Sequence, residues 1–175
     1  HAAAALQALE LIEPAILENT ELLENGITNI SLMGRYQMIS SNPEIVLDVA
    51  HNADSAEKLM DNLDKESKKN TIAVIGVLKD KDVYSLNKPM ISNVDKWYCG
   101  TINSDRGMNS EEIKIRMSSA INQKNIKTFD SIDEACSQAM ASLGENDRLV
   151  VYGSFYTVSE FLDYYELINK HKDII

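Results

Sequence analysis

Short apolar runs alternate along this chain with longer segments in which apolar residues recur every three or four positions. The runs have the length and composition of buried strands, and the segments between them have the spacing of amphipathic helices. Predicted strands cover residues 36–40, 44–48, 71–77, 94–101, 126–129 and 148–153. From residue 44 onwards strand and helix alternate, which indicates a mainly parallel sheet with helices on both faces.

The first two predicted strands are joined by only three residues, Ser41, Asn42 and Pro43. Because parallel neighbours need a much longer crossover, residues 36–40 should run antiparallel to residues 44–48. We therefore predict an α/β, Rossmann-like fold. Its six-stranded sheet is mostly parallel, with one antiparallel strand at an edge and helices on both faces.

The first part of the chain is predicted to be helical. Residues 2–12 are rich in Ala and Leu, and a second helix should begin at Pro14 and end near Gly26. A domain that starts with a bare Ala-rich helix indicates a chain cut from a longer protein. We assign residues 1–22 to a helical remnant of a linker or of a preceding domain, and residues 23–175 to the main domain.

The strand at residues 44–48 leads into Asp48, His51 and Asn52 and then into a segment with helical spacing. In open α/β sheets, ligands bind at the carboxyl ends of the strands. A carboxylate there can accept two hydroxyl hydrogen bonds, as a ribose offers, and an imidazole can stack on a base or donate a hydrogen bond. The alternative is that Asn52 or Asp54 only caps the next helix. The spacing alone leaves both interpretations open.

Three basic residues and one hydroxyl are further candidates for a site. Arg35 follows Gly34, and arginine can bind phosphate through two parallel hydrogen bonds. Lys81, in a charged loop, and Arg106, before a glycine, are candidate anion contacts at the same edge of the sheet. Ser154 lies between a strand and a helix, where a hydroxyl and the free helix amides suit a carboxylate or a phosphate. Each of the three cations can equally be a solvated surface residue.

Composition narrows the range of partners. The 175 residues include 17 basic and 27 acidic side chains, which give a net charge of −10 and disfavour a nucleic-acid or anionic-membrane surface. No apolar run approaches the roughly 20 residues of a membrane span, and no secretion signal is visible. Cys99 and Cys136 are not spaced as metal ligands and are typical of reduced cytosolic thiols, so we expect a cytoplasmic protein. Cys136 is predicted to be a small core residue.

Several catalytic signatures are absent from the sequence. It contains no Gly-x-x-x-x-Gly-Lys-Ser/Thr phosphate loop, no Gly-x-Gly-x-x-Gly dinucleotide motif and no cluster of metal ligands. Ser154 lacks the Gly-x-Ser-x-Gly pattern of hydrolases, since Tyr156 stands where the second glycine would be. The chain therefore offers parts of an anion and nucleotide site, with no catalytic residue and no metal site of its own.

Four segments, residues 34–37, 47–52, 74–82 and 152–158, resemble one family in their order and spacing. They are similar to the C-terminal domain of the bacterial bifunctional dihydrofolate synthase/folylpolyglutamate synthases, which belong to the Mur ligase superfamily. The Asp-x-Ala-His-Asn motif is that of the superfamily. The Gly-x-Leu-x-Asp-Lys-Asp and Gly-Ser-Phe-x-Thr-Val motifs point to the folate branch.

The resemblance implies a ligase of folate biosynthesis that joins L-glutamate to dihydropteroate or to a reduced folate. ATP would phosphorylate the acceptor carboxylate, and the glutamate amine would attack the acyl phosphate. The phosphate loop and the Mg²⁺ ligands would belong to a preceding ATPase domain of the same polypeptide. We accordingly expect ATP and Mg²⁺ as cofactors, a monomer, and no activity from this domain alone.

The resemblance also implies a role for four of the candidate residues. Arg35 would contact the ATP phosphates and Asp48 the ribose. His51 would lie beside the nucleotide and near the incoming glutamate, which Ser154 would help to hold. Lys81 and Arg106 remain less specific anion contacts.

Two other interpretations stay open at this point. One is the C-terminal domain of a different Mur-type amino-acid ligase, for example one from cell-wall synthesis, although the segment at residues 153–158 argues against it. The other is a freestanding nucleotide-binding module with the same fold. The length of the parent gene separates the freestanding module from the two ligase interpretations. A ligase gene would also encode an upstream ATPase domain with a phosphate loop, and the gene of a freestanding module would not.

Overall fold

The computed structural model describes residues 2–28, 32–65, 69–119 and 121–172. The chain forms two compact units, His1–Met33 and Gly34–Ile175. This geometric division differs in position from the boundary predicted between residues 22 and 23. That boundary concerned the origin of the first segment, and it stays a prediction.

The first unit is helical, with α1 at Ala2–Ile12 and α2 at Thr20–Thr28, and a 3₁₀ segment at Pro14–Glu18 between them. The single helix predicted from Pro14 to Gly26 was therefore wrong. Its interruption has a local cause, because the Asn19 side chain accepts a hydrogen bond from the Leu22 amide at 3.0 Å. Asparagine favours the position just before a helix, where it satisfies one of the free amides, so it starts a new helix here.

The second unit contains the sheet. Its strands are β1 (Gln37–Ser41), β2 (Glu44–Leu47), β3 (Thr71–Ile75), β4 (Lys96–Gly100), β5 (Ile126–Phe129) and β6 (Arg148–Tyr152). Its helices are α3 (Ala53–Leu63), α4 (Val83–Asn87), α5 (Ser110–Met117), α6 (Ile132–Ala141) and α7 (Phe155–Lys172). Short 3₁₀ segments follow α4 at Lys88–Met90 and precede β5 at Gln123–Asn125.

The strand order is β1-β2-β6-β3-β4-β5. Only β1 and β2 pair antiparallel, with Gln37 opposite Leu47 and Ser41 opposite Glu44, and the other four pairings are parallel. The predicted six-stranded sheet with an antiparallel edge strand is confirmed. Because β2, β6 and β3 are neighbours, the loops that follow their carboxyl ends meet in the middle of one edge of the sheet.

Helices cover both faces of this sheet, as predicted. Trp97 and Tyr98 are consecutive and fully buried, and they belong to two separate apolar clusters, since neighbouring strand residues point to opposite faces. Helices α3, α4 and α5 contribute to the cluster around Trp97, and α6 and α7 contribute to the one around Tyr98. Cys136 is buried in the second cluster, which confirms its prediction as a core residue. No helix in the described ranges is long and apolar enough to cross a membrane.

Candidate functional site

A cavity of about 250 Å³ opens where the loops after β2, β3, β4 and β6 meet. Four of the six predicted site residues line it, namely His51, Lys81, Arg106 and Ser154. The remaining lining residues are Leu78, Gly153, Phe155 and Tyr156. The structure therefore brings together an imidazole, two cations and a hydroxyl that lie up to about a hundred positions apart in the sequence.

Arg35 and Asp48 lie at the start of the same unit, beside one another and outside the lining of that cavity. Arg35 is exposed, and its charge favours ionisation of the Asp48 carboxyl. Asp48 accepts two backbone hydrogen bonds, from the Tyr36 amide to Oδ2 and from the Ala50 amide to Oδ1, each at 2.8 Å. It therefore fixes the loop that carries Arg35 to the end of β2.

Burial raises the pKa of Asp48 above its ordinary value, and the two amide hydrogen bonds and Arg35 oppose that rise. A carboxylate with two amide donors still has acceptor capacity left on each oxygen. The structural role of Asp48 is thus compatible with the predicted contact to a ribose. It does mean that a substitution here acts on the fold as well as on binding.

We expect Asp48→Asn to lower the melting temperature and, in a protein that binds ATP through this domain, to raise the KM for ATP. An amide can accept only one of the two backbone hydrogen bonds and turns its NH₂ group toward the other donor, at a cost of roughly 1–3 kcal/mol. Thermal melting and steady-state kinetics on the same preparations measure both effects. Asp61→Asn on the exposed side of α3 is the control. A lower melting temperature with an unchanged KM for ATP would remove Asp48 from the site.

A backbone hydrogen bond of His51 determines which of its ring nitrogens carries a hydrogen. Nδ1 lies 2.9 Å from the carbonyl oxygen of Val49. A carbonyl can only accept, so Nδ1 carries the hydrogen and Nε2 of the neutral ring presents a lone pair. His51 can thus accept a hydrogen bond from a ligand, and not only donate one as its residue type alone suggested.

The turn between β6 and α7 holds Ser154 in a fixed orientation. Ser154 Oγ accepts a hydrogen bond from the Thr157 amide at 3.1 Å and lies 2.8 Å from Thr157 Oγ1. Gly153 adopts a φ of +112°, and a Cβ there would come within 2.5 Å of the Gly76 carbonyl oxygen. Only glycine permits this close approach between the ends of β3 and β6. Gly153 therefore keeps Ser154 next to the loop that carries Lys81.

Backbone hydrogen bonds join the two loops that carry Lys81 and Arg106. The Lys79 amide donates to the carbonyl of Arg106 at 2.9 Å, and the Met108 amide donates to that of Val77 at 2.9 Å. Asp80 lies between the two cations, 3.0 Å from Lys81 Nζ and 3.6 Å from Arg106. Lys81 and Arg106 both line the cavity and could contact an anion there, although each is paired with Asp80 and the Arg106 side chain is 67 % exposed.

Asn52 has the structural role that the sequence left open for it. Its side chain accepts from the Ser55 amide at 2.9 Å and forms a reciprocal cap at the start of α3. Thr157 is a polar residue of this region that sequence reasoning missed. It is fully buried. Two signals could have found it: its place in the Gly-Ser-Phe-x-Thr-Val motif, and its position three residues after Ser154 at a helix start.

Within the described ranges, no three His, Cys, Asp or Glu residues are grouped in a way that could hold a metal ion. The predicted Mg²⁺ was assigned to an ATPase domain, and that assignment stays a prediction.

Comparison with known proteins gives three findings. Residues 34–155 match the family model "Mur ligase, glutamate ligase domain". The dihydrofolate synthase/folylpolyglutamate synthase of Escherichia coli is 36% identical over 165 residues, which cover 93% of this chain and 37% of that protein. The solved structure of E. coli FolC in complex with ADP superimposes with a TM-score of 0.79 at 33% identity, over 86% of this chain and 35% of that one.

A further similar structure is a bifunctional folylpolyglutamate synthase/dihydrofolate synthase with manganese, AMPPNP and L-glutamate bound. It has a TM-score of 0.75 and 32% identity, over 83% of this chain and 34% of that one. The chain thus spans little more than a third of the length of the relatives that it matches.

Proposed function

Because this chain belongs to the family of Mur ligase glutamate ligase domains, we propose that it is the C-terminal domain of an ATP-dependent acid–amino-acid ligase. The ligase adds L-glutamate to dihydropteroate or to a reduced folate. Support for the substrates comes from the names of the similar E. coli proteins and from the similar structure with L-glutamate and a nucleotide bound.

The cavity between the ends of β2, β3, β4 and β6 is the observation that carries this proposal. It combines cations for carboxylates, in Lys81 and Arg106, with acceptors in His51 and Ser154. An amino acid carries both kinds of partner, a carboxylate and an amino group. The Phe155 and Tyr156 amides at the start of α7 add further donors, since the first amides of a helix have no partner within it.

In the proposed reaction the acceptor carboxylate attacks the γ-phosphate of ATP, and an acyl phosphate and ADP are formed. The glutamate amine then attacks the acyl carbon, and inorganic phosphate leaves. Arg35 contacts the phosphates, Asp48 accepts hydrogen bonds from the ribose, and the cavity holds the glutamate. Residues of the ATPase domain would hold magnesium, which would supply positive charge beside the phosphates.

The proposed partner of this domain is the ATPase portion of the same polypeptide. An acyl phosphate is hydrolysed easily, so a site built from two domains must close before it forms. Closure would bring Arg35 and the cavity over the nucleotide. We further propose that the parent enzyme is a cytoplasmic monomer, and the two buried free thiols are consistent with a reducing compartment.

The 175-residue chain alone is expected to show no glutamate-dependent ATP hydrolysis. Its sequence has no phosphate loop, and its described residues form no metal cluster, so the groups that would activate ATP are lacking. Phosphate release by the pure chain, with ATP, Mg²⁺, L-glutamate and dihydropteroate, is the measurement. Turnover above a no-enzyme blank would contradict the proposal that this is a closing domain.

The acceptor separates the proposal from its closest alternative. We expect the parent protein to form a glutamyl amide with dihydropteroate or tetrahydrofolate, which mass spectrometry detects as the added glutamyl residue. A cell-wall ligase would instead use a nucleotide-linked sugar acid or peptide. Ligation to that acceptor, with none to either pterin, would replace the folate proposal by the runner-up. A parent gene that encodes no ATPase portion would favour a freestanding nucleotide-binding module.

A further inference from the structure

Hydrogen bonds within the protein use up the hydroxyl protons of Ser154 and Thr157 at the start of α7. Thr157 Oγ1 lies 2.9 Å from the carbonyl oxygen of Gly76, and a carbonyl only accepts, so the single Thr157 proton points to it. The contact of 2.8 Å between Thr157 Oγ1 and Ser154 Oγ then requires the Ser154 proton. Ser154 therefore has no proton left to donate to a ligand in the cavity.

Ser154 keeps acceptor capacity in this arrangement. A serine oxygen has two lone pairs, and the Thr157 amide uses one of them. The side chain of Ser154 is 4 % exposed and Thr157 is fully buried, so neither hydroxyl can easily exchange its partner for water. The cavity thus has a hydroxyl whose polarity toward a ligand is set by a buried neighbour that does not line it.

His51 has the same polarity for an independent reason. Its Nδ1 hydrogen is donated to the Val49 carbonyl, so Nε2 is an acceptor whenever the ring is neutral. Two of the polar side chains that line the cavity, His51 and Ser154, can therefore act as acceptors, whereas the Tyr156 hydroxyl there can donate or accept. The donors are cations, Lys81 and Arg106, together with the amides at the start of α7.

We propose that Thr157 is a positioning residue for the ligase: it orients the Ser154 hydroxyl so that Ser154 and His51 accept hydrogen bonds from the amino group of the incoming amino acid. Lys81, Arg106 and the amides at the start of α7 then bind the carboxylates of that amino acid. This assignment differs from the carboxylate contact first considered for Ser154. It rests on the proposed function, and it predicts that the site prefers an amino acid to a simple dicarboxylate.

The test compares L-glutamate with glutarate, which has the same two carboxylates and no amino group. In the parent ligase, the KM for L-glutamate and the inhibition constant of glutarate are measured for the wild type, Ser154→Ala, Thr157→Val and Thr157→Ser. Ser154→Ala removes the acceptor, so it should raise the KM for L-glutamate roughly tenfold while glutarate binds as before. Thr157→Val frees the Ser154 proton for a carboxylate, so glutarate should bind more tightly.

Both changes should therefore reduce the preference for L-glutamate over glutarate by roughly tenfold, and Thr157→Ser should restore it because serine keeps the hydroxyl. Thr101→Val is the matched control. Thr101 also bonds a carbonyl and an amide at the carboxyl end of a strand, through Phe129 and Ser110. Loss of the Thr101 hydroxyl should lower the melting temperature without changing the preference for L-glutamate over glutarate.

An equal loss of affinity for L-glutamate and glutarate in Ser154→Ala would overturn the proposal, since it would mean that Ser154 binds a carboxylate. An unchanged preference in Thr157→Val would overturn it as well, and if that variant does not fold, Ser154→Ala decides alone. In both cases the wild type would still ligate glutamate, so the proposed function would stand. A wild-type parent protein that does not ligate glutamate at all would instead refute the proposed function.

Discussion

Arg35→Ala is expected to reduce kcat of the parent ligase by about ten- to a hundredfold. A hydrogen bond between an arginine and a phosphate is worth roughly 1.5–3 kcal/mol, and each 1.36 kcal/mol corresponds to about a factor of ten in rate. The effect should fall on turnover because the contact is made when the domain closes on the nucleotide. Arg35 is exposed in this domain, so its removal should leave the melting temperature nearly unchanged.

Arg116→Ala is the matched control for this experiment. Arg116 is also an exposed arginine, and it pairs with Glu112 one turn earlier on α5. Exposed pairs of this kind contribute little to stability, about 0.3–0.5 kcal/mol, and Arg116 has no proposed role in binding. Equal kinetics of the Arg35→Ala variant and the wild type would remove Arg35 from the site and favour the alternative of a solvated surface arginine.

The largest expected effect on stability belongs to Glu44→Gln. Glu44 is buried at the amino ends of β2 and β6, with Oε1 2.5 Å from Arg148 Nε and Oε2 2.6 Å from Lys69 Nζ. Breaking a buried ion pair by removing one partner costs roughly 3–5 kcal/mol, because the remaining charge is poorly compensated. Denaturant unfolding of the 175-residue chain measures the loss. Glu166→Gln, in an exposed pair with Lys170 on α7, should change the free energy of unfolding by less than about 1 kcal/mol.

The difference in the free energy of unfolding between the wild type and Glu44→Gln should also depend on pH, because it arises from an ion pair. Burial by itself raises the pKa of Glu44, but the hydrogen bonds and charges of Arg148 and Lys69 outweigh it and hold the pKa below 4.5. The stabilisation is therefore complete above pH 4.5 and is lost as the pH falls through the lower pKa of the folded state. The gap between wild type and Glu44→Gln should shrink over that range. A gap that stays constant would contradict the ionic origin of the effect.

The sheet could be predicted from the sequence because its signals are local. Apolar runs define the strands, and the two residues between β1 and β2, Asn42 and Pro43, permit only an antiparallel neighbour. The ends of the strands were less accurate. Residues 76 and 77 were predicted to continue β3, but the carbonyls of Gly76 and Val77 accept hydrogen bonds from Thr157 and Met108 instead of from a neighbouring strand.

The candidate site could be predicted only in part. Asp48, His51 and Ser154 stand at strand ends, which is visible in the sequence, and the general rule for α/β sheets says that such ends meet. The hydrogen-bond polarity of the site was not predictable, since Thr157 acts through Gly76, 81 positions away. The pairing of Glu44 with Arg148 spans 104 positions, and nothing local in the sequence indicates it.

The most direct test of the central claim is ligation of L-glutamate by the parent protein. The purified protein is incubated with ATP, Mg²⁺, L-glutamate and dihydropteroate, and ADP release and the mass of the pterin product are followed together. We expect one ADP for each glutamyl residue added, and no ADP release above background when glutamate or the pterin is left out. ADP release without a glutamylated product, or no reaction with either dihydropteroate or tetrahydrofolate, would contradict the account.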